Sequence, residues 1–214
     1  LETHYYRVAV EDEHGIMGSW SEPQSLVVDL GTVEPRFLDQ TNSKPEFVWE
    51  ASDLPDVTYH FQLAADRQFQ EIIEESTALA VTEYHVGTAL YDRETYYFRV
   101  AIIDQNGVQG AWAQDSIYIT IGYAEAISPT GVITDTRPTL AWTEAELAGA
   151  RYRVSIARDS QFTEIVYTSD PLDSLTHRPE ITFDNLTEYH FRVAVVDQND
   201  IESTMFFARR FSID

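Results

Sequence analysis

Cysteine is absent from the 214 residues, which removes disulfide frameworks, thiolate metal sites and cysteine nucleophiles together. Lysine is nearly absent too. Lys44 is the only one among 14 basic residues, which face 36 acidic ones for a formal net charge of −22. A surface so acidic repels nucleic-acid phosphates and anionic lipid headgroups, so neither is an expected partner. No run of about 18 apolar residues is present to span a bilayer as a helix, so no membrane insertion is expected. Only nine glycines occur, with no phosphate-cradling glycine loop and no Gly-x-Ser-x-Gly elbow. What is present is apolar and aromatic: 43% hydrophobic and 13% aromatic residues exclude disorder, and the length allows one or two packed domains.

The chain repeats itself. An offset of 93 pairs Trp49 with Trp142, Pro45 with Pro138, Tyr59 with Tyr152, Asp66 with Asp159, Phe69 with Phe162, Tyr96 with Tyr189, Arg99 with Arg192 and Asp104 with Asp197. A shift of 92 in the other direction lays Tyr97-Phe98-Arg99-Val100-Ala101 over Tyr5-Tyr6-Arg7-Val8-Ala9. Three units follow: residues 1–29 as the last two strands of a first repeat, 30–121 as a second and 122–214 as a third. The acidity is spread over all three, with six acids against one arginine, fifteen against five basic residues, and fifteen against eight. The junctions are too short to be flexible linkers.

The periodicity is that of strands. Tyr59-His60-Phe61-Gln62-Leu63 and Tyr152-Arg153-Val154-Ser155-Ile156 alternate apolar and polar, and turn residues punctuate the chain at short intervals. No segment sustains helical spacing. Asp66-Arg67-Gln68-Phe69 and its copy at 159–162 read as single capped helical turns that tuck a Phe under the strand just before them, the one at 59–63 or at 152–156. About seven short strands in 92 residues predict an all-β fold of tandem β-sandwiches.

One Trp in an early strand (Trp49, Trp142) and a Leu or Phe six residues before a Tyr (Leu90 and Tyr96; Phe183 and Tyr189) resemble the fibronectin type III, immunoglobulin-like fold. The resemblance implies a core Trp and a tyrosine corner, whose hydroxyl bonds to upstream backbone. The first repeat departs from it by carrying His4 at the corner position. A finer resemblance lies in Tyr152-Arg153-Val154-Ser155-Ile156-Ala157-Arg158-Asp159-Ser160-Gln161-Phe162 with Tyr189-His190-Phe191-Arg192-Val193-Ala194-Val195-Val196-Asp197. It is similar to the tandem C-terminal repeats of bacterial FecR-domain envelope proteins, which often carry a LysM peptidoglycan-binding domain. That resemblance implies an extracytoplasmic module, in the periplasm or at the cell surface.

Counting back from a four-residue turn at 104–107 makes cross-strand partner numbers sum to 211, so Arg99 faces Trp112. The same count sets Arg7 against Trp20 and Arg192 against Met205. A guanidinium over an indole contributes about 0.5–1 kcal/mol on a solvated sheet face. One reading is a stack that shields the sheet; the other is an aromatic binding surface of Tyr97, Arg99, Trp112 and Tyr118. The acidic loops at 11–15 and 197–200 lack the twelve-residue EF-hand spacing, and their Asp and Asn are what tight turns require, with Gly107 or Asp200 left-handed. The six histidines form no His-x-His or His-x-x-x-His pair, so zinc has no local footing, and no metal or other cofactor is expected. No catalytic constellation stands out, and enzymatic activity is not expected.

These features favour a non-catalytic spacer and interaction scaffold of a bacterial envelope or surface protein. The partners would be other domains of the same longer polypeptide and an unknown protein or a cell-wall glycan. The rival is a glycan- or peptidoglycan-binding accessory module, including one belonging to a polysaccharide-degrading enzyme. Residues 1–29 cannot hold a sandwich alone, since an isolated hairpin is marginal in water. They read either as the remnant of a trimmed repeat or as strands that pack against another copy.

Overall fold

The computed structural model describes residues 2–205 and 207–214. Leu1, where the first strand was expected to begin, lies outside them. The described residues form strands and turns, in three successive bodies.

The first is a hairpin of β1 (Glu2–Tyr6) and β2 (Gln24–Val28), paired antiparallel from Glu2 with Val28 to Tyr6 with Gln24. Its apolar side chains stay in solvent: Tyr5 is 73% exposed, Val10 80% and Leu26 55%. By the repeat offset, Tyr6, Val8 and Val10 correspond to Phe98, Val100 and Ile102, which are buried in the second body.

The second body contains β3 (Arg36–Phe37), β4 (Glu46–Val48), β5 (Thr58–Ala64), β6 (Ile72–Leu79), β7 (Glu83–His85), β8 (Thr95–Ile103) and β9 (Ala113–Tyr118). They form two sheets, ordered β3-β4-β7 and β6-β5-β8-β9. The third repeats the plan with β10 (Ala126–Ser128), β11 (Gly131–Ile133), β12 (Leu140–Trp142), β13 (Arg151–Ala157), β14 (Ile165–Thr168), β15 (Thr176–His177), β16 (Thr187–Val196) and β17 (Arg209–Ile213). Its sheets are β10-β12-β15 and β11-β17-β16-β13-β14, with β11 parallel to β17.

Alternation along β5 and β8 sends Tyr59, Phe61, Leu63, Tyr96, Phe98, Val100 and Ile102 inward, all buried. Phe47 on the facing sheet packs against Phe98 with centroids 4.5 Å apart and against Phe61 at 5.3 Å. Trp49 closes the same core, parallel to Phe61 at 6.2 Å. Burying each such ring stabilises the sandwich by about 2–3 kcal/mol. Among the described residues the indole N–H groups of Trp49 and Trp142 have no hydrogen-bond partner, so both tryptophans contribute through their rings.

Both expected tyrosine corners form. The Tyr96 hydroxyl accepts from Tyr91 N (2.9 Å) and that of Tyr189 from Asp184 N (3.0 Å). A second tyrosine device, not anticipated from the sequence, recurs at the same offset: Tyr59 accepts from Ser52 N and Tyr152 from Ala145 N. Each pins the loop that leads into its strand.

The predicted helical turns are corrected. Residues 66–70 and 159–163 are irregular turns in which Phe69 and Phe162 adopt positive φ (57° and 58°). The expected Asp cap is real: Asp66 accepts from the N–H groups of Gln68, Gln70 and Glu71. Left-handed backbone at Phe turns the chain back, so each ring lands on an arginine of β8 or β16 rather than beneath β5 or β13.

Candidate functional site

The four residues singled out as a surface, Tyr97, Arg99, Trp112 and Tyr118, share the outward face of the β6-β5-β8-β9 sheet. Tyr97 and Arg99 alternate with the buried Tyr96, Phe98 and Val100 on β8. Across the ladder their partners are Ser116 and Gln114, and Tyr118 opposes Thr95.

The pairing of Arg99 with Trp112 by register is therefore a correction: the partner of Arg99 is Gln114. Between the bridge Ile103–Gln109 and the pair Val100–Ala113, β8 advances three residues while the returning strand advances four. The extra residue is a bulge at Gly110-Ala111-Trp112, and it swings the indole back along the sheet. The contact survives the shift, with the Arg99 guanidinium 4.2 Å from the Trp112 ring centroid. On its other side Phe69 lies at 4.0 Å, so the cation is enclosed by two rings. Arg7 likewise lies 4.6 Å from Trp20. Arg192 meets Phe162 at 4.0 Å, and its expected facing of Met205 is corrected too: the β16–β17 register pairs Phe191 with Arg209, so partner numbers sum to 400 and not to the 397 that the turn count gives.

A hydrogen-bond network holds this face together. Arg99 Nε donates to Gln62 Oε1 (2.7 Å), and Gln62 Nε2 donates to Glu75 Oε1 (2.5 Å). His60 bridges Glu75 and Gln109, at 2.7 Å to each, and its ring lies 4.7 Å from that of Trp112. The hydrogen bonds from Gln62 and His60 hold the Glu75 carboxyl below the usual range. Burial lowers the Arg99 pKa, against the opposing pull of Glu75. The guanidinium remains a cation.

Arg99 and Trp112 are thus half-buried and committed to each other, while Tyr118 is 46% exposed. Tyr97 borders a shallow depression with Arg67, Gln114, Asp115 and Ser116. Among the described residues no ring contact joins Tyr97 or Tyr118 to Trp112. The aromatics share a face without forming a continuous strip. A groove of about 710 Å³ lies elsewhere, along residues 30–36 and 50–54, and Glu34, Glu50, Asp53 and Asp115 outnumber Arg36 in its wall. The most strongly raised tyrosine, Tyr84, is pushed up to about 12 by burial and by the Glu74 carboxylate it donates to. That Glu also accepts from Gly87 and Thr88 N–H groups, a structural tie of the loop after β7.

The turn carboxylates serve the backbone. Asp12, Asp104 and Asp197 each accept, through Oδ1, the N–H groups two and four residues ahead. Gly107 and Asp200 take the expected positive φ, and Gly15 does the same in the first turn.

The second and third bodies meet through carboxylates that each supplies to the other. Asp92, in the turn before β8, accepts from Ile121 N through Oδ1 and from Thr204 N of the third body through Oδ2, both at 2.8 Å. Asp197, at the end of β16, accepts through Oδ2 from Ser43 N of the second body (3.3 Å). Beside it Asn199 Nδ2 donates to Asn42 Oδ1 and Ser43 Oγ, each at 3.0 Å. Ser43 and Asp197 are almost fully buried. Burial alone would raise the Asp197 pKa; the bonds from Ser43, Ile201 and Asn199 outweigh it and hold the carboxyl below the usual range. Ile119, Ile121, Ala124 and Ala126 carry one apolar core through the same junction.

No protein-family profile matches the sequence, and no curated protein is significantly similar to it. Among the solved structures that align with it are two that do so over most of their length. A two-domain fibronectin type III segment of chicken tenascin is 14% identical, with a TM-score of 0.40, over 84% of this chain and 98% of its own. The FN1–FN3 domains of chicken CNTN1 are also 14% identical, with a TM-score of 0.37, over 98% of this chain and 78% of their own. The all-β, tandem fibronectin type III-like architecture rests on the sheet order, core Trp and tyrosine corners described above.

Proposed function

We propose that the chain is a non-catalytic, semi-rigid tandem module that holds other domains of a longer bacterial envelope or surface protein at a set reach and presents sheet faces to partners. The observation that carries this reading is the junction, where Asp92 and Asp197 each bond to backbone of the neighbouring sandwich. Such bonds fix direction as well as distance, because both acceptors are immobilised and both donors are backbone. A flexible tether would leave these polar groups in water. The extracytoplasmic setting and the FecR-type context belong to the same proposal, supported by the sequence resemblance and by a charge of −22 that favours solubility along an array.

The absence of native cysteine makes the test direct. Spin labels on Glu71→Cys and Asp173→Cys, exposed positions in the two sandwiches, should give one narrow distance distribution. Adding Asp92→Asn and Asp197→Asn should broaden it. A broad distribution in the parent chain, or no change in the double variant, defeats the rigid-spacer reading.

The glycan-binding alternative has one feature in its favour, the shared outward face of Tyr97 and Tyr118 beside Trp112. Retention of the chain on peptidoglycan or a glycan array that is lost in Tyr97→Ala/Tyr118→Ala would establish it.

A further inference from the structure

On the outward face of the β3-β4-β7 sheet, three metal-ligating side chains converge from strands that are distant in sequence. Glu46 on β4 is directly opposed to His85 on β7, and Glu83 stands two residues before His85 on the same face. Phe47 and Tyr84 alternate with them; Phe47 is buried, and Tyr84 stacks on the core ring of Phe61 at 4.3 Å. The trio's Cα positions are therefore set by a paired sheet and anchored from beneath.

We propose that Glu46, Glu83 and His85 bind a divalent transition-metal ion of the zinc class. One ligand atom from each lies within 4.8 Å of the others. His85 Nδ1 is 3.8 Å from Glu46 Oε2, and His85 Nε2 is 3.8 Å from Glu83 Oε1. Bonds of about 2.0–2.2 Å from nitrogen and oxygen to one ion require donors roughly 3.3–3.5 Å apart in a tetrahedral site, and the imidazole offers the ion one nitrogen, so both carboxylates must rotate toward that nitrogen. The fourth position would hold water.

Three observations favour an ion over an incidental cluster. The carboxylates of Glu46 and Glu83 have no partner among the described residues except His85, and no Arg or Lys neutralises either. Two carboxylates with oxygens within 4.8 Å of each other repel, and a bound cation relieves that repulsion. The fold does not demand the trio: at the equivalent positions the third body carries Thr139, Thr176 and Arg178, at or next to the ends of the β12–β15 pair, whose register is the same. The imidazole sets the class of ion, because a purely oxygen site would suit calcium or magnesium. A chain of net charge −22 also concentrates divalent cations near its surface.

Isothermal titration of the full chain with zinc chloride tests the site. One saturable equivalent is expected, weakened by about tenfold or more in His85→Ala and in Glu83→Gln, and unchanged in His14→Ala, which removes the exposed His14–Glu13 pair. Zinc should also shift the His85 ring resonances ahead of those of the other five histidines. All substituted side chains are exposed, and unchanged melting curves without metal would confirm that the variants fold. Absence of saturable binding, binding undiminished in His85→Ala, or equal affinity for calcium would each overturn the proposal.

Discussion

The outward faces of the two sandwiches are built from the same positions and solve the same problem differently. Each places an arginine at the centre of a long strand, Arg99 on β8 or Arg192 on β16, and each lays on it a phenylalanine delivered by a left-handed Asp-capped turn. In the second body Trp112 adds a ring to the other side of the cation, and His60 joins Gln109 to Glu75. In the third body the position of Trp112 is Met205. The positions of His60 and Gln109 are Arg153 and Glu202, whose Nε and Oε1 approach to 2.7 Å as an ion pair, although the N–H is not aimed along that line. The hairpin carries a third version, Arg7 on Trp20 with no phenylalanine. The shared element is a flat cation that an aromatic ring can cover, which lysine would not supply. Which ring covers it, and from which side, varies from copy to copy.

Removing the shared ring has the largest expected effect. Phe162→Ala should cost about 3 kcal/mol, as expected for a buried phenylalanine. Arg192 would lose the one ring that covers it among the described residues, where its Nε already lies buried without an acceptor. Phe69→Ala should cost less by about 0.5–1 kcal/mol, because Trp112 still covers Arg99. Urea denaturation read through amide exchange assigns each loss to its own sandwich. A larger loss for Phe69→Ala would reverse the comparison.

The Asp turns separate the bodies a second way. Asp104 and Asp197 make the same turn, but only Asp197 also reaches across the junction to Ser43. At Asp104 the bond from Val108, and at Asp197 the bonds that outweigh burial, hold the folded carboxyl below its ordinary 3.8. A depressed folded pKa means that the stabilisation is present above the unfolded value and is lost as pH falls through the folded one. The melting temperature should therefore be nearly flat from pH 7 to about 5 and fall below about 4. At pH 7 Asp197→Asn should lower it by several degrees, and Asp104→Asn by less. Both differences from the parent chain should shrink at pH 3, where its carboxyls protonate. Equal shifts at pH 7 would mean that the junction bond contributes nothing.

How much of this was legible follows from where each signal sits. The repeats, the core Trp and the tyrosine corners depend on side chains a few residues apart, or at a fixed offset, so the sequence carries them openly. The cross-strand register does not, because one bulged residue displaces every partner beyond it. Gly110 two residues before Trp112, and Gly18 two before Trp20, are the local trace of that bulge, and a Cβ at Gly110 would approach Leu30 Cβ to 3.1 Å. The junction and the Glu46–Glu83–His85 trio are harder still. They join residues from 37 to 157 positions apart, and no spacing rule links Glu46 to His85 or Asp197 to Ser43 until the strands are paired.

The smallest expected effect asks whether the stack is a coupling or a coincidence of placement. Trp112→Ala alone uncovers His60 as well as Arg99, and Arg99→Ala alone leaves Gln62 without its donor, so neither single variant measures the contact. A double-mutant cycle subtracts those side effects. At Arg99–Trp112 the coupling should be about 0.5–1 kcal/mol, the range of a partly shielded cation–π pair. At Arg7–Trp20, where the indole is 47% exposed and no second ring assists, it should fall at or below the low end. At Arg192–Met205, where no ring is present, it should be near zero. Additive effects at Arg99–Trp112 would show that the ring shields the sheet without binding the cation, and the face would then owe its order to Phe69 and the Gln62–Glu75–His60 network alone.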